Sequence, residues 1–455
     1  MTHRFCGRGI FFSADATLPE TILVQPDGKI IAIGESFFLT DNQGFVTNNL
    51  GLITRLLSDG SLDTSFGGDG RVELTVGRGL DLQAAALQPD GKLLLTGSRI
   101  ESIGDSDWIV IRLLANGSID NSFGSSGVFI LNSGVSSYAS GVVVLPDRKI
   151  AVSASIQDSA SSSDIAVFQL LSNGQLDPSF GVSGISKVVT SERKNSDALV
   201  LQTDGRFVVV GTTDPTSVTD PEDTLVFRFN PNGSLDPNFG TGGLVRLNVS
   251  PNGLSDSFAD TAAIAPDNTI VVGGVIFSPT PDGFTEEVGY VLRLNSNGTF
   301  DSSFGDLGVV YNSVPSGVSS LLLQPNGDIV GTFLNALEGA SESPTVAFRL
   351  IGGTLPTRAR LRDTITNPLV SVNNKGAFGL AVAATDSYRV IGAFDRTVSN
   401  DPNVFGPPSV YIFDAFEQSV KLVNPTNSTN KDGFGFAIAC SFIIQSEYGL
   451  VPKSR

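Results

Sequence analysis

The sequence predicts an all-β protein: a β-propeller of four-stranded blades, with seven blades expected and eight or six as alternatives. Three observations carry that prediction. A frame built around Phe-Gly recurs five times, at Leu56–Val72, Leu113–Val128, Leu170–Ile185, Phe229–Val245 and Leu294–Val309. A second element, an apolar run broken by a Pro-Asp-Gly type of turn, occurs six times in alternation with the first. The apolar runs are short and nearly all are bounded by Gly or Pro, which argues against buried helices.

Residues 1–18 read as a lead-in and residues 19–357 as the repeats. Each unit opens with the second element, first seen as L-V-Q-P-D-G-K-I-I-A-I-G at Leu23–Gly34. Its copies are Leu87–Gly97, Val144–Ser153, Leu201–Gly211, Ile264–Gly273 and Leu323–Gly331. Two apolar runs around a tight turn predict a β-hairpin. The second run is continuous, as in Leu93-Leu94-Leu95, so both of its faces are covered. A third strand follows, such as Trp108–Leu113, and its Trp is expected to fill the gap between blades. The Phe-Gly frame and a fourth run, such as Val128–Leu131, close the unit. The phenylalanines of the frame, Phe66, Phe123, Phe180, Phe239 and Phe304, are 57, 57, 59 and 65 residues apart. A period that long means stacked supersecondary units.

Composition narrows the function. With 29 Lys and Arg against 46 Asp and Glu, the net charge is −17 and no basic run exists. Nucleic acid and anionic membrane surfaces are poor partners for such a chain. No run of 18 apolar residues occurs, so membrane insertion is not expected. The start of the chain is too short in apolar residues for a signal peptide, so the protein is either intracellular or its signal lies outside this sequence. The single histidine, His3, stands in the lead-in, which argues against Ser-His-Asp and Cys-His catalysis. Two cysteines, Cys6 and Cys440, do not make a metal site, and ring closure could bring them together as a disulfide. No metal and no cofactor are expected.

The paired motifs resemble the delta-60 repeat family. The matching residues are Gln25–Lys29 and Gln88–Lys92 in the hairpin and Asn232–Gly240 in the Phe-Gly frame, and the resemblance covers about residues 20–350. It implies a propeller without catalytic residues. Further on, Ala377–Ala383, Val390–Ala393, Ser409–Phe413 and Gly433–Ala439 resemble the FG-GAP repeat, with Phe378 and Phe434 as its starts. That resemblance makes residues 358–455 one or more blades completing the same propeller. The loop Ala384–Arg389 holds one carboxylate, Asp386, far from the oxygen set that Ca²⁺ needs.

The resemblances point to a non-catalytic scaffold for binding or adhesion, extracellular or at a cell surface, with a protein or glycan ligand and scope for self-assembly. A carbohydrate-active propeller working through a carboxylate pair is the alternative, since that chemistry needs only Asp and Glu. A structural subunit of a surface layer or filament is the third reading. The signature carboxylates Asp63, Asp120, Asp177, Asp236 and Asp301 recur, so they read as turn residues. Non-repeated acids in the variable loops are Glu101, Asp105, Asp107, Asp220, Glu222, Asp223, Glu286 and Glu287. The sequons at Asn116, Asn232, Asn248, Asn297 and Asn427 mostly coincide with Asn-Gly turns.

An arginine precedes four of the signature acids by eight residues: Arg55 with Asp63, Arg112 with Asp120, Arg228 with Asp236 and Arg293 with Asp301. A guanidinium at the end of an apolar strand needs a carboxylate, so a repeated structural clamp is expected. Gln169 replaces the Arg in the third unit, and in the sixth Arg349 faces Thr357 in place of an Asp.

Overall fold

The computed structural model describes most of residues 17–334 and, beyond them, the strands within 345–423. Among the described residues, all regular structure is β. The first sheet holds β1 (Thr17–Val24), β2 (Ile30–Ser36), β3 (Gly51–Leu56) and β4 (Arg71–Leu74), and the second β5 (Gly79–Leu87), β6 (Leu93–Ser102), β7 (Asp105–Leu113) and β8 (Val128–Leu131). The third holds β9 (Ser137–Val144), β10 (Ile150–Ser159), β11 (Ser162–Leu170) and β12 (Ile185–Val188); the fourth β13 (Arg193–Leu201), β14 (Phe207–Asp214), β15 (Thr224–Phe229) and β16 (Leu244–Leu247). The fifth holds β17 (Asp256–Ile264), β18 (Ile270–Pro279), β19 (Thr285–Leu294) and β20 (Val309–Tyr311), and the sixth β21 (Gly317–Leu323), β22 (Ile329–Leu334), β23 (Thr345–Leu350) and β24 (Leu361–Thr366). The seventh is β25 (Ala377–Ala384), β26 (Tyr388–Phe394), β27 (Pro408–Asp414) and β28 (Ser419–Val423). Within each sheet the strands pair antiparallel in chain order.

The first strands meet around an axis. β1 neighbours β5, β5 neighbours β9, and the series continues through β13, β17 and β21 to β25, which lies against β1. The protein is therefore a β-propeller. Cys6 and Cys440 lie outside the described residues.

Local chemistry explains the hairpins. In the first five hairpin turns the Asp carboxylate accepts the backbone N–H two residues on, as Asp27 does from Lys29 at 3.2 Å and Asp204 from Arg206 at 3.1 Å. The residue after the Asp needs a positive φ: Gly28 and Gly205 both lie at 82°. Arg148 and Asn268 hold the same position at 68° and 66°, a strained choice that the surrounding hairpin enforces.

Blades stack through aromatic and apolar side chains. Trp108, in the middle of β7, stacks on Phe168 of the next blade, with centroids 5.3 Å apart and planes 9° from parallel. Its indole N–H donates to the Ser155 carbonyl at 3.3 Å. Phe180 meets Phe207 of the following blade edge-on. Trp108 is thus packed between blades, as its place in the sequence predicts, and offers no ligand platform.

Candidate active site

The innermost strands share one irregularity. Their pairing with the second strand slips between Pro19 and Thr21, Leu82 and Ala84, Ser196 and Ala198, Ala259 and Thr261, and Val318 and Ser320. In β9 the register passes from Ala139 to Gly141. The residues skipped by the strand register are Glu20, Gln83, Ser140, Asp197, Asp260 and Ser319, all polar. A β-bulge of this kind re-aims a side chain and is over-represented near active sites.

Five of these residues, Gln83, Ser140, Asp197, Asp260 and Ser319, line a cavity of about 280 Å³ at the centre of the ring. That size approaches the lower end of small-ligand clefts, about 300 Å³. None of the described lining residues is Lys or Arg.

Asp197 is half-buried, and Asp260 is exposed to the channel. Burial pushes Asp197 up to about 8; the charges of Asp260 and Glu222 add to the rise, and a hydrogen bond from Thr212 opposes it. That bond runs from Thr212 Oγ1 to Asp197 Oδ2 at 3.1 Å. Burial alone raises Asp260 to about 6. Nearby, burial also raises Asp81 against the bond it accepts from Gln83 Nε2 at 2.5 Å. The two carboxyls are thus held at different acidities. Tyr290 is fully buried, donates to the Phe258 carbonyl at 2.9 Å and bonds Thr224 at 2.7 Å. Burial holds its phenol well above the ordinary range, so it stays neutral.

The loop acids behave differently. Asp107 is buried against Arg99 at 2.5 Å. Asp223 accepts from Arg246 at 2.6 Å and from Asn248 at 2.9 Å. The Glu222 amide donates to Asp256 at 3.0 Å, and Glu287 is raised by burial. The side chains of Glu101, Asp105, Asp220 and Glu286 lie outside the described residues. The sequence reading set these loop acids apart and did not single out Asp197 and Asp260, the acids that line the central cavity from bulges. One signal was available: each bulge residue stands five positions before the turn residue Gln25, Gln88, Leu145, Gln202, Ala265 or Gln324.

The signature Arg and Asp meet in all four units that have both. Arg55 Nε donates to Asp63 Oδ2 at 2.9 Å, Arg112 to Asp120 at 2.9 Å, Arg228 to Asp236 at 2.9 Å and Arg293 to Asp301 at 2.7 Å. Each guanidinium also lies over the ring of its own blade's phenylalanine, at 4.5 Å for Phe66, Phe123 and Phe239 and 4.7 Å for Phe304. In three units Nη1 reaches the next blade: Arg112 Nη1 donates to the Ser172 carbonyl at 2.5 Å, and Arg55 and Arg228 do the same to Ala115 and Ser296. Beside these, Gly67, Gly124, Gly181 and Gly240 donate backbone bonds of 2.8–3.0 Å to Asn116, Asn173, Asn232 and Asn297 of the following blade. In the third unit Asp177 is held by Lys149 at 2.9 Å. In the sixth, Asp363 of β24 pairs in register with Arg349 of β23. The clamp lies in the β3–β4 type of loop and links it to the next blade.

The profile of a domain of unknown function (DUF5122) beta-propeller matches residues 25–66, 88–123, 145–180, 202–239 and 265–304. The repeats across this span are those of a β-propeller. No curated protein matches the chain. Among solved structures, polysaccharide lyase Uly1 is 11% identical with a TM-score of 0.51, covering 92% of this chain and 92% of that one. A polysaccharide lyase PL25 ulvan lyase bound to -[GlcA(1-4)Rha3S]- is 10% identical with a TM-score of 0.50, covering 95% and 96%. At such identities the likeness establishes the fold.

It also corrects the expectation of a non-catalytic scaffold, and with it the expectation that the chain is not an enzyme. Both propellers, matched over nearly the whole length, are enzymes. The physical reason is that a repeat pattern reports on packing, whereas catalysis needs only a few residues that the repeat leaves free to vary.

Proposed function

We propose that this protein is a carbohydrate-active β-propeller in which Asp197 and Asp260 supply acid–base chemistry from the central channel. The observation that carries this reading is the pair of bulge carboxyls with raised, unequal acidities in a ligand-sized cavity. At neutral pH, Asp197 is mostly protonated and acts as the general acid. Asp260 is mostly ionised and acts as the base. Being coupled, the pair titrates as a unit, and activity should trace a bell between about 6 and 8. The polysaccharide-cleaving propellers of similar fold support the reading, as does the survival of carboxylate chemistry in a chain with one histidine. The partner is then a glycan, met outside the cell or at its surface. The hairpin and Phe-Gly motifs support a delta-60 type for residues 20–350, and the sheet of β25–β28 supports a further, FG-GAP-like blade.

The test is release of new reducing ends from a polysaccharide panel by the full chain. Asp197→Asn and Asp260→Asn should each lower the rate by about 10²–10⁴-fold while leaving the melting temperature at pH 5 within a few degrees. Cleavage that persists undiminished in both variants refutes the assignment.

A further inference from the structure

We infer that the channel accepts uncharged sugar units and rejects uronates, so that the reaction is hydrolysis of a neutral glycan and not β-elimination. This rests on the carbohydrate-active reading above and concerns the sign of charge in the cavity. The bulge ring presents Asp197 and Asp260 beside neutral Gln83, Ser140 and Ser319, and none of the described lining residues is a cation.

The repeat's cations are committed elsewhere. Lys29 lies 3.3 Å from Asp63, Lys92 lies 2.9 Å from Asp120, Lys149 lies 2.9 Å from Asp177 and Arg206 lies 3.1 Å from Asp236. All four belong to the hairpin turns and face the signature acids of the β3–β4 type of loop. A net charge of −17 adds a long-range field of the same sign.

The two reactions make opposite demands on such a site. Elimination removes a proton beside a uronate carboxylate, so negative charge builds where charge is already negative. Cationic or hydrogen-bonding groups must be aimed at it. Hydrolysis passes through an oxocarbenium-like state, in which positive charge builds at the anomeric carbon. The ionised Asp260 stabilises that charge, and Asp197 joins it as its proton leaves. In the step proposed here, Asp197 gives its proton to the glycosidic oxygen as the bond from that oxygen to the anomeric carbon breaks. Water forms the new carbon–oxygen bond, and its proton passes to Asp260. One water is consumed, and solvent returns the proton from Asp260 to Asp197.

The test presents the full chain with xylan, galactan and arabinan as neutral probes and with ulvan and polygalacturonate as uronate probes. Reducing ends and the ultraviolet absorbance of unsaturated uronate are read together. New reducing ends from a neutral probe without that absorbance, abolished in Asp197→Asn, is the expected result. An ultraviolet-absorbing product from a uronate probe, abolished in Asp197→Asn, overturns the inference and leaves the carbohydrate-active reading standing. No cleavage of any probe, or cleavage indifferent to both Asn variants, overturns that reading and the inference with it. A second measurement does not depend on turnover. Gln83→Lys places a cation on the bulge ring and should tighten binding of oligogalacturonate by about tenfold in calorimetry. An unchanged affinity contradicts the charge argument.

Discussion

Asp63→Ala tests the clamp, and its size can be worked from the contacts. Asp63 Oδ2 takes Arg55 Nε at 2.9 Å and Lys29 Nζ at 3.3 Å, and Oδ1 takes the Ser65 amide at 3.1 Å and hydroxyl at 2.6 Å. Both side chains of the Arg55–Asp63 pair are only 6% exposed. Burial works to raise the carboxyl, but the Ser65 bonds, Arg55 and Lys29 outweigh it and hold the group down to about 2. The gap from an ordinary 3.8 to about 2 corresponds to about 2 kcal/mol of preference for the carboxylate in the folded state. Removing the side chain also strands the Arg55 guanidinium. It keeps the Ala115 carbonyl and the Phe66 ring, and the site lies just under the surface, so the lower end of the range for a broken buried pair applies. The expected loss is about 3 kcal/mol, read as a lowered urea midpoint at pH 7. The sign with pH follows from the lowered folded value. The contribution is present above 3.8 and disappears as pH falls through about 2, so the gap between wild type and variant should narrow over that window. A loss below about 1 kcal/mol at pH 7 would place the pair with exposed ion pairs and refute the reasoning.

Other outcomes follow from the same structure. Asp197→Asn should melt near wild type at pH 4 and several degrees higher at pH 9, because the raised Asp197 contributes stability below its ordinary value and loses it as pH rises through about 8; parallel pH profiles of melting temperature contradict this. Gln169→Arg should stabilise by roughly 0.5–2 kcal/mol, since Gln169 Nε2 is buried without a hydrogen-bond partner and Asp177 stands ready to complete a fifth clamp; a lowered urea midpoint counts against it. Trp108→Ala should lose about 3–5 kcal/mol by opening a cavity against Phe168, measurable by the same denaturation.

Much of the architecture was legible because each blade writes its own packing locally. The Pro-Asp-Gly turn, the continuous apolar second strand and the Phe-Gly loop are contacts within about 60 residues, repeated in register. The eight-residue spacing from Arg55 to Asp63 is likewise local, since both flank one strand end. The third contact of Arg55, with Ala115 of the next blade, carries no mark in the sequence around Arg55. Neither does the site. Asp197 and Asp260 read as two acids among many, and their raised pKa values come from facing one channel across 63 residues of chain. Only ring closure brings them to one cavity and sets one charge against the other. A repeat pattern thus declares how the blades stack, and the tertiary structure decides which of the unrepeated polar residues face the axis and how acidic they become.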